Sequence, residues 1–248
     1  MRTLVIGDIH GNLDALNKVL RNANFNIETD RIIGIGDYVD GWENSFEVVR
    51  TLLEIKNQSK LENIFLLGNH DKMFLDILNH DFENFRNERY IKSKYPNWYI
   101  QGGKSTYESY LKYDDEFIIT HKKIFFDELK YYYLDQNKLF IHAGFDLKIG
   151  FEETLKQNKE ELLWDRSLNY ESLQLWHKDN NLKIKNNLTK KSKIGKYDKI
   201  YIGHTPTTLS GFDKPQYMAN VINVDQGCKR KGILTIWDDD TDKFYQNI

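Results

Sequence analysis

The segment GDYVDGWENS (36–45) sets two carboxylates, Asp37 and Asp40, three residues apart just after the apolar run RIIGI. Four other apolar runs end in comparable groups. LVIGD ends in Asp8, with His10 two residues on; IFLLGNH ends in Asn69 and His70; LFIH ends in His142; IYIGH ends in His204. Each run has the length and β-branched content of a strand, and in open α/β sheets ligands bind at the carboxyl ends of strands. Five segments therefore deliver carboxylate, imidazole and amide groups to one edge. A glycine directly precedes the first such residue in four of the five, where it lets the chain turn sharply and come close to something bound. One Asp after a strand is ordinarily a cap and one His on a strand is ordinarily core. Five together need a shared purpose.

Imidazole, carboxylate and amide oxygen suit Mn, Fe, Zn or Co. Asp8, His10, Asp37, Asn69, His142 and His204 are more donors than one tetrahedral ion takes. They fit two neighbouring divalent ions that share a carboxylate, with Asp37, from the middle strand, as the bridge. Such a pair clamps the attacking and leaving oxygens of an in-line phosphoryl displacement and activates water at neutral pH. The lone cysteine, Cys228, argues against a thiolate-bound zinc and an internal disulfide framework. His70 follows a candidate ligand at the head of a helix, and a catalytic imidazole needs a carboxylate to fix its tautomer. Asp40 is that partner, with His70 protonating the leaving alkoxide.

The elements that must place these groups alternate. TLVIG is followed by a helix with Leu13, Leu16 and Leu20 on one face and Asn12 as N-cap. RIIGIG leads to a second helix capped by Asn44 or Ser45, and NIFLLG to a third. That rhythm predicts βαβ units and a parallel sheet. Residues 81–137, rich in Tyr and Phe, break it and read as a helical or loop cap inserted into a single domain spanning 1–248. The segments VINVD, GILTIW and KFYQN read as a C-terminal hairpin meander. The net charge of -2 argues against a nucleic-acid partner held by bulk electrostatics. The Lys-rich stretch 182–196 reads as a solvated connector. No apolar run approaches a membrane span and no signal-peptide pattern opens the chain, so a cytoplasmic location without a membrane partner is the default expectation. The sequence gives no oligomeric state.

Taken together, GDIHG, GDYVDG, GNHD, FIHAGF and IGHT, in this order over residues 7–205, resemble the calcineurin-like metallophosphoesterase superfamily. More narrowly they are similar to its phosphoprotein phosphatase branch, which includes bacterial serine/threonine protein phosphatases and symmetrical dinucleoside tetraphosphate hydrolases. The tail INVDQGCKRKGILTIW and the segment YIQGGKSTYESY (99–110) are similar to the family's closing segment and to a bacterial cap. The resemblance implies an α/β/β/α sandwich of two packed mixed sheets. It implies one metal on Asp8, His10 and Asp37 and a second on Asp37, Asn69, His142 and His204, with Mn2+ the leading choice. It implies His70 as general acid paired with Asp40, and Arg166 in ELLWDRS as a phosphate ligand. Direct attack by a metal-activated hydroxide on a phosphorylated protein is then the leading reading. A dinucleoside polyphosphate or other nucleotide substrate is the alternative, and a non-catalytic metal-binding scaffold is the alternative of another class. The branch usually carries a phosphate-gripping arginine in the pattern GDxVDRG. Here that place is Gly41, and Lys104, Lys229 and Arg230 are the candidate substitutes.

Overall fold

A computed structural model of the protein describes residues 1–186 and 192–248, with the backbone alone described for 182–186. Residues 187–191 of the Lys-rich stretch 182–196 therefore lie outside the described residues. The strands are short and many are buried on both faces, as strands between two layers must be. In the first sheet β1 (Arg2–Ile6) runs parallel to β2 (Asp30–Gly34), and β2 to β3 (Ile64–Phe65). On the other side of β1, β9 (Thr235–Asp238) is antiparallel and pairs in turn with β10 (Lys243–Gln246). The second sheet has the order β4 (Tyr132–Asp135), β5 (Lys138–Ile141), β6 (Lys199–Ile202), β8 (Val221–Asn223), β7 (Gln216–Met218), with β5, β6 and β8 parallel and both edges antiparallel.

Alternation decides which side chains face which layer. Val5, Ile33 and Ile35 point from the first sheet onto Phe140, Tyr201, Ile222 and Val224 of the second. The Phe140 and Tyr201 rings stack with centroids 4.8 Å apart. Leu4, Ile6 and Ile32 point the other way, into α1 (Leu13–Asn22), α2 (Ser45–Gln58) and α3 (Asn69–His80). Leu139, Ile141 and Ile200 meet α8 (Phe151–Asn158) and α9 (Ser167–Asn186). This is the four-layer α/β/β/α sandwich.

Two expectations need adjustment. VINVD is not part of a meander with the last two strands. β8 joins the second sheet, where its neighbours are β6 and β7, and the terminal hairpin is β9–β10 alone. The capping of α2 also differs. Asn44 occupies the N-cap position with no side-chain cap bond, whereas Asn12 accepts the Ala15 N–H as expected. The Ser45 hydroxyl instead meets Thr106 Oγ1 at 3.0 Å.

The inserted region is helical over most of its length: α4 (Glu88–Lys94), α5 (Pro96–Trp98), a wide turn (Tyr99–Gly103), α6 (Lys104–Tyr110) and α7 (Asp115–Ile124). Its last residues differ, because 132–135 form the edge strand β4. Phe85, Trp98, Tyr110 and Phe126 close around Phe74 of α3, with ring centroids 4.8–6.1 Å away. The aromatic content of the insertion thus continues the core outside the first sheet. Among the described residues no helix is long and apolar enough to cross a membrane. Phe74 is fully buried, so Phe74→Ala should cost about 3–5 kcal/mol in denaturant unfolding through its cavity; a loss below about 1 kcal/mol would show that insertion and sheet are not packed as one core.

Candidate active site

The six expected ligands converge at the carboxyl ends of β1, β2, β3, β5 and β6, and all are buried. His10 Nε2 lies 3.7 Å from Asp37 Oδ2 and 4.0 Å from Asp8 Oδ2. His142 Nε2 lies 3.5 Å from the same Asp37 oxygen. Asn69 Oδ1 is 3.1 Å from His142 Nε2 and 2.9 Å from His204 Nδ1. Asp37 Oδ2 thus stands between an Asp8–His10 group and an Asn69–His142–His204 group.

The backbone that presents them is strained. His10 (φ 53°), Asp37 (φ 55°), Asp40 (φ 68°) and His204 (φ 63°) all adopt the left-handed region, at about 1–2 kcal/mol each for a side chain with a Cβ. A dense backbone network holds them there. The N–H groups of Ile9 and His10 both donate to Asp37 O, and Gly11 N–H donates to Tyr38 O. The Asp71 carboxylate accepts from the N–H groups of Asp37 (2.7 Å), Tyr38 (2.9 Å) and Gly68 (3.0 Å). The insertion supplies the remaining bonds: Thr106 Oγ1 accepts the Asp40 N–H at 2.8 Å and Ser105 Oγ the Gly41 N–H at 3.1 Å. Two glycines are required by close approach, since a Cβ on Gly203 would overlap the Asp8 carboxylate and one on Gly68 the Asp37 carboxylate.

Partners behind the imidazoles set their tautomers. His10 Nδ1 faces the carbonyls of Asp40 (2.8 Å) and Val39 (3.1 Å), and His142 Nδ1 the carbonyl of Ile35 (3.0 Å). Carbonyls only accept, so both Nδ1 atoms carry hydrogen and both Nε2 atoms turn to Asp37. Burial pushes His10 down to about 3 and His204 down to about 2, which keeps these rings neutral. Burial, then the nearby Asp225 and Asp37 carboxylates, hold Asp8 well above the usual carboxylate range. Burial and like charge likewise lift Asp71 to about 7 and Asp225 to about 6. Burial opposes charge on Asp37 too, but His142 and His70 outweigh it and keep Asp37 ionised. Burial also opposes the charge on His142, yet Asp37 above all lifts that ring to about 9.

Crowded buried acids beside neutral imidazoles form the donor chemistry of a cation site. Asp8 Oδ1 and His204 Nε2 are buried with no hydrogen-bond partner among the described residues. Donor atoms of Asp37, His142 and His204 lie within 4.8 Å of one another, and so do those of His10, Asp37 and His70. The residues fit two divalent ions. His70 is near enough to join them, but both its ring nitrogens are engaged. Nδ1 lies 2.8 Å from Asp40 Oδ2 and Nε2 lies 2.8 Å from Lys229 Nζ. An ammonium only donates, so Nε2 accepts and Nδ1–H donates to Asp40.

A cleft of about 330 Å³ opens on the cluster, lined among others by Trp164, Arg166, Asp225, Lys229, Arg230 and Lys231. Arg166 is anchored on Thr205 Oγ1 (2.9 Å) and His204 O (3.2 Å), while Asp165 accepts from Ser167. Lys104 faces a separate groove and pairs with Glu108 at 3.4 Å. Asp225 was missed as a site residue, although it follows β8 as Asp8 and Asp37 follow theirs; the strand-end rule would have found it.

A two-sheet sandwich with a two-ion donor set at its strand ends defines the metallophosphoesterase class. The model of the calcineurin-like phosphoesterase family matches residues 1–225, and the chain belongs to that family. Two curated relatives are similar over shorter stretches. The symmetrical bis(5'-nucleosyl)-tetraphosphatase of Actinobacillus pleuropneumoniae serotype 3 is 37% identical over 78 residues, 32% of this chain and 27% of that relative. Serine/threonine-protein phosphatase 2 of Salmonella typhimurium is 32% identical over 99 residues, 40% of this chain and 37% of that relative. The chain thus spans well under half the length of these relatives. A crystal structure of a metallophosphoesterase from Sphaerobacter thermophilus matches 99% of this chain and 87% of its own, with TM-score 0.51 and 17% identity, and shares the fold.

The proton that His142 holds up to about 9, and the one that burial favours on Asp8, must leave as cations enter, over a window that reaches about pH 9. Metal binding should therefore tighten as pH rises through that window and release protons, seen calorimetrically as Mn2+ is titrated in two buffers of different ionisation enthalpy. Binding without proton release would contradict this donor set. Gly203→Ala, which displaces Asp8, should cut bound metal measured by mass spectrometry while the protein still folds.

Proposed function

We propose that this chain hydrolyses phosphomonoesters, with phosphoserine and phosphothreonine side chains of proteins as the leading substrates. The centre would be held by Asp8, His10, Asp37, Asn69, His142 and His204. The observation that carries the reading is the Asp40–His70 pair, at 2.8 Å beside the donor cluster. A serine or threonine alkoxide is a poor leaving group and needs a proton as its P–O bond breaks, whereas a nucleotide phosphate leaves without one. His70 would deliver that proton from Nε2 in its protonated state, in which the Lys229 ammonium no longer donates to that nitrogen. Asp40, fully buried, would hold the ring by its Nδ1–H and fix its orientation. Two bound divalent ions, Mn2+ first and Fe, Zn or Co as alternatives, would supply Lewis-acid charge and an activated water. Arg166, fixed by Thr205, would meet a non-bridging phosphoryl oxygen, for which its planar fork is suited.

A dinucleoside polyphosphate is the second reading. It is favoured by the consecutive cations Lys229, Arg230 and Lys231 on the cleft wall and by Trp164 in the same cleft, its ring 6.0 Å from that of His204. The name of the Actinobacillus relative points the same way.

His70→Asn should lower turnover of a phosphoserine peptide by about 10²–10⁴-fold, the range of a positioned general acid, with metal content unchanged. The loss should shrink on an aryl phosphate, whose leaving group needs no proton. An equal loss on both substrates, or loss of metal, would overturn the role. Wild-type preference for diadenosine tetraphosphate over the peptide by a large factor would favour the second reading.

A further inference from the structure

We propose that Lys229 is a phosphate-binding residue of this chain, supplying from the turn after β8 the positive charge that residue 41 lacks. The inference rests on the reading of the cleft as a phosphoester site. A Cβ on Gly41 would lie 3.2 Å from Lys229 Cγ and 3.1 Å from His10 O. The lysine stem therefore runs through the space that a side chain at 41 would enter. Gly41 also has φ +148°, a conformation that L residues rarely adopt. A side chain at 41 would need a rarely adopted backbone and would press on both His10 and the Lys229 stem, so Lys229 in this position disfavours an arginine at 41.

The lysine is held at this position. Lys229 lies on the single turn α10 (Cys228–Lys231), which is bounded by Gly227 (φ 82°) and Gly232 (φ 71°). The indole N–H of Trp42, the residue after Gly41, donates to Cys228 O at 2.9 Å. Gly41 and Lys229 are thus tied by one short link. From there the lysine reaches the cleft that Arg166 also lines, and its ammonium ends 2.8 Å from His70 Nε2.

The charge is poorly matched by that contact. Burial lowers the Lys229 pKa, and its hydrogen bond goes to a neutral imidazole rather than a carboxylate. An ammonium has three donors, so two remain for phosphoryl oxygens while one meets His70, and all three are free for phosphate once Nε2 itself carries a proton. The Asp37 and Asp40 carboxylates favour the charge without taking these donors, and a phosphoryl dianion is a ligand that answers the spare donors. As a point charge, lysine would bind phosphate with less orientational demand than an arginine fork.

The test compares wild type, Lys229→Met and Lys229→Arg. Inorganic phosphate binding is measured by isothermal titration calorimetry, metal content by mass spectrometry, and KM and kcat on an aryl phosphate. Lys229→Met should weaken phosphate binding by about tenfold or more, the scale of one charge-assisted hydrogen bond. It should raise KM more than it lowers kcat, with metal content unchanged, and Lys229→Arg should restore most of the affinity. If Lys229→Met does not fold by circular dichroism, Lys229→Gln carries the same comparison. Unchanged phosphate affinity, or a fall in kcat alone, would overturn the proposal and leave Lys229 as a prop for His70. Wild type that binds phosphate through Lys229 yet hydrolyses no phosphoester would instead sink the proposed function and keep the inference.

Discussion

Four carboxylates, Asp8, Asp37, Asp71 and Asp225, are buried together at the strand ends, and the rest of the site answers to that crowding. Desolvation and mutual repulsion lift three of them above the ordinary carboxylate range. Only Asp37, ringed by imidazoles, stays firmly ionised. Backbone N–H groups absorb part of the charge: Asp71 takes four, Asp8 takes that of His204, and Asp225 takes that of Gly227. Two of the residues in left-handed turns, Asp37 and His204, donate their own N–H groups to these carboxylates. The left-handed turns and the acid cluster are therefore one feature. Such strain persists where the surroundings over-determine it, and the proposed divalent cations would complete the compensation.

The inserted helices belong to the same system. Ser105 and Thr106 hold the Asp40–Gly41 turn, and Gly102 (φ +111°) lets the insertion approach so closely that a Cβ there would lie 3.0 Å from Gly41 N. Thr106 also meets Ser45, at the head of α2. The region around 99–106 is thus a brace behind the proposed acid pair, and its aromatic neighbours anchor that brace to α3.

Much of this could be read from sequence because it is local. A strand that ends in Asp or His signals itself within a few residues, and five such signals in order pointed to Asp8, His10, Asp37, Asn69, His142 and His204. Asp40 and His70 could be paired because a catalytic imidazole needs a carboxylate partner. What escaped depends on distant contacts. Asp71 matters through N–H groups more than thirty residues away, and Thr106 through a turn sixty-six residues away. β8 looked like part of a terminal meander because sequence shows alternation, not which sheet a strand joins. Lys229 stood among three candidates, and only the folded chain shows its stem crossing the space beside Gly41.

The topology also fixes when the site can exist. β1 lies between β2, thirty residues on, and β9, which begins at Thr235. The donor cluster draws from Asp8 to His204, with Asp225 and Lys229 later still. On a ribosome, the first half of the chain emerges with its acids in place but without His142, His204 or the second sheet to receive them. Parallel strands joined over such separations close slowly, since loop entropy is lost before contacts repay it. A nascent chain of this kind exposes the inward face of its first sheet until β6 and β8 of the second have been made.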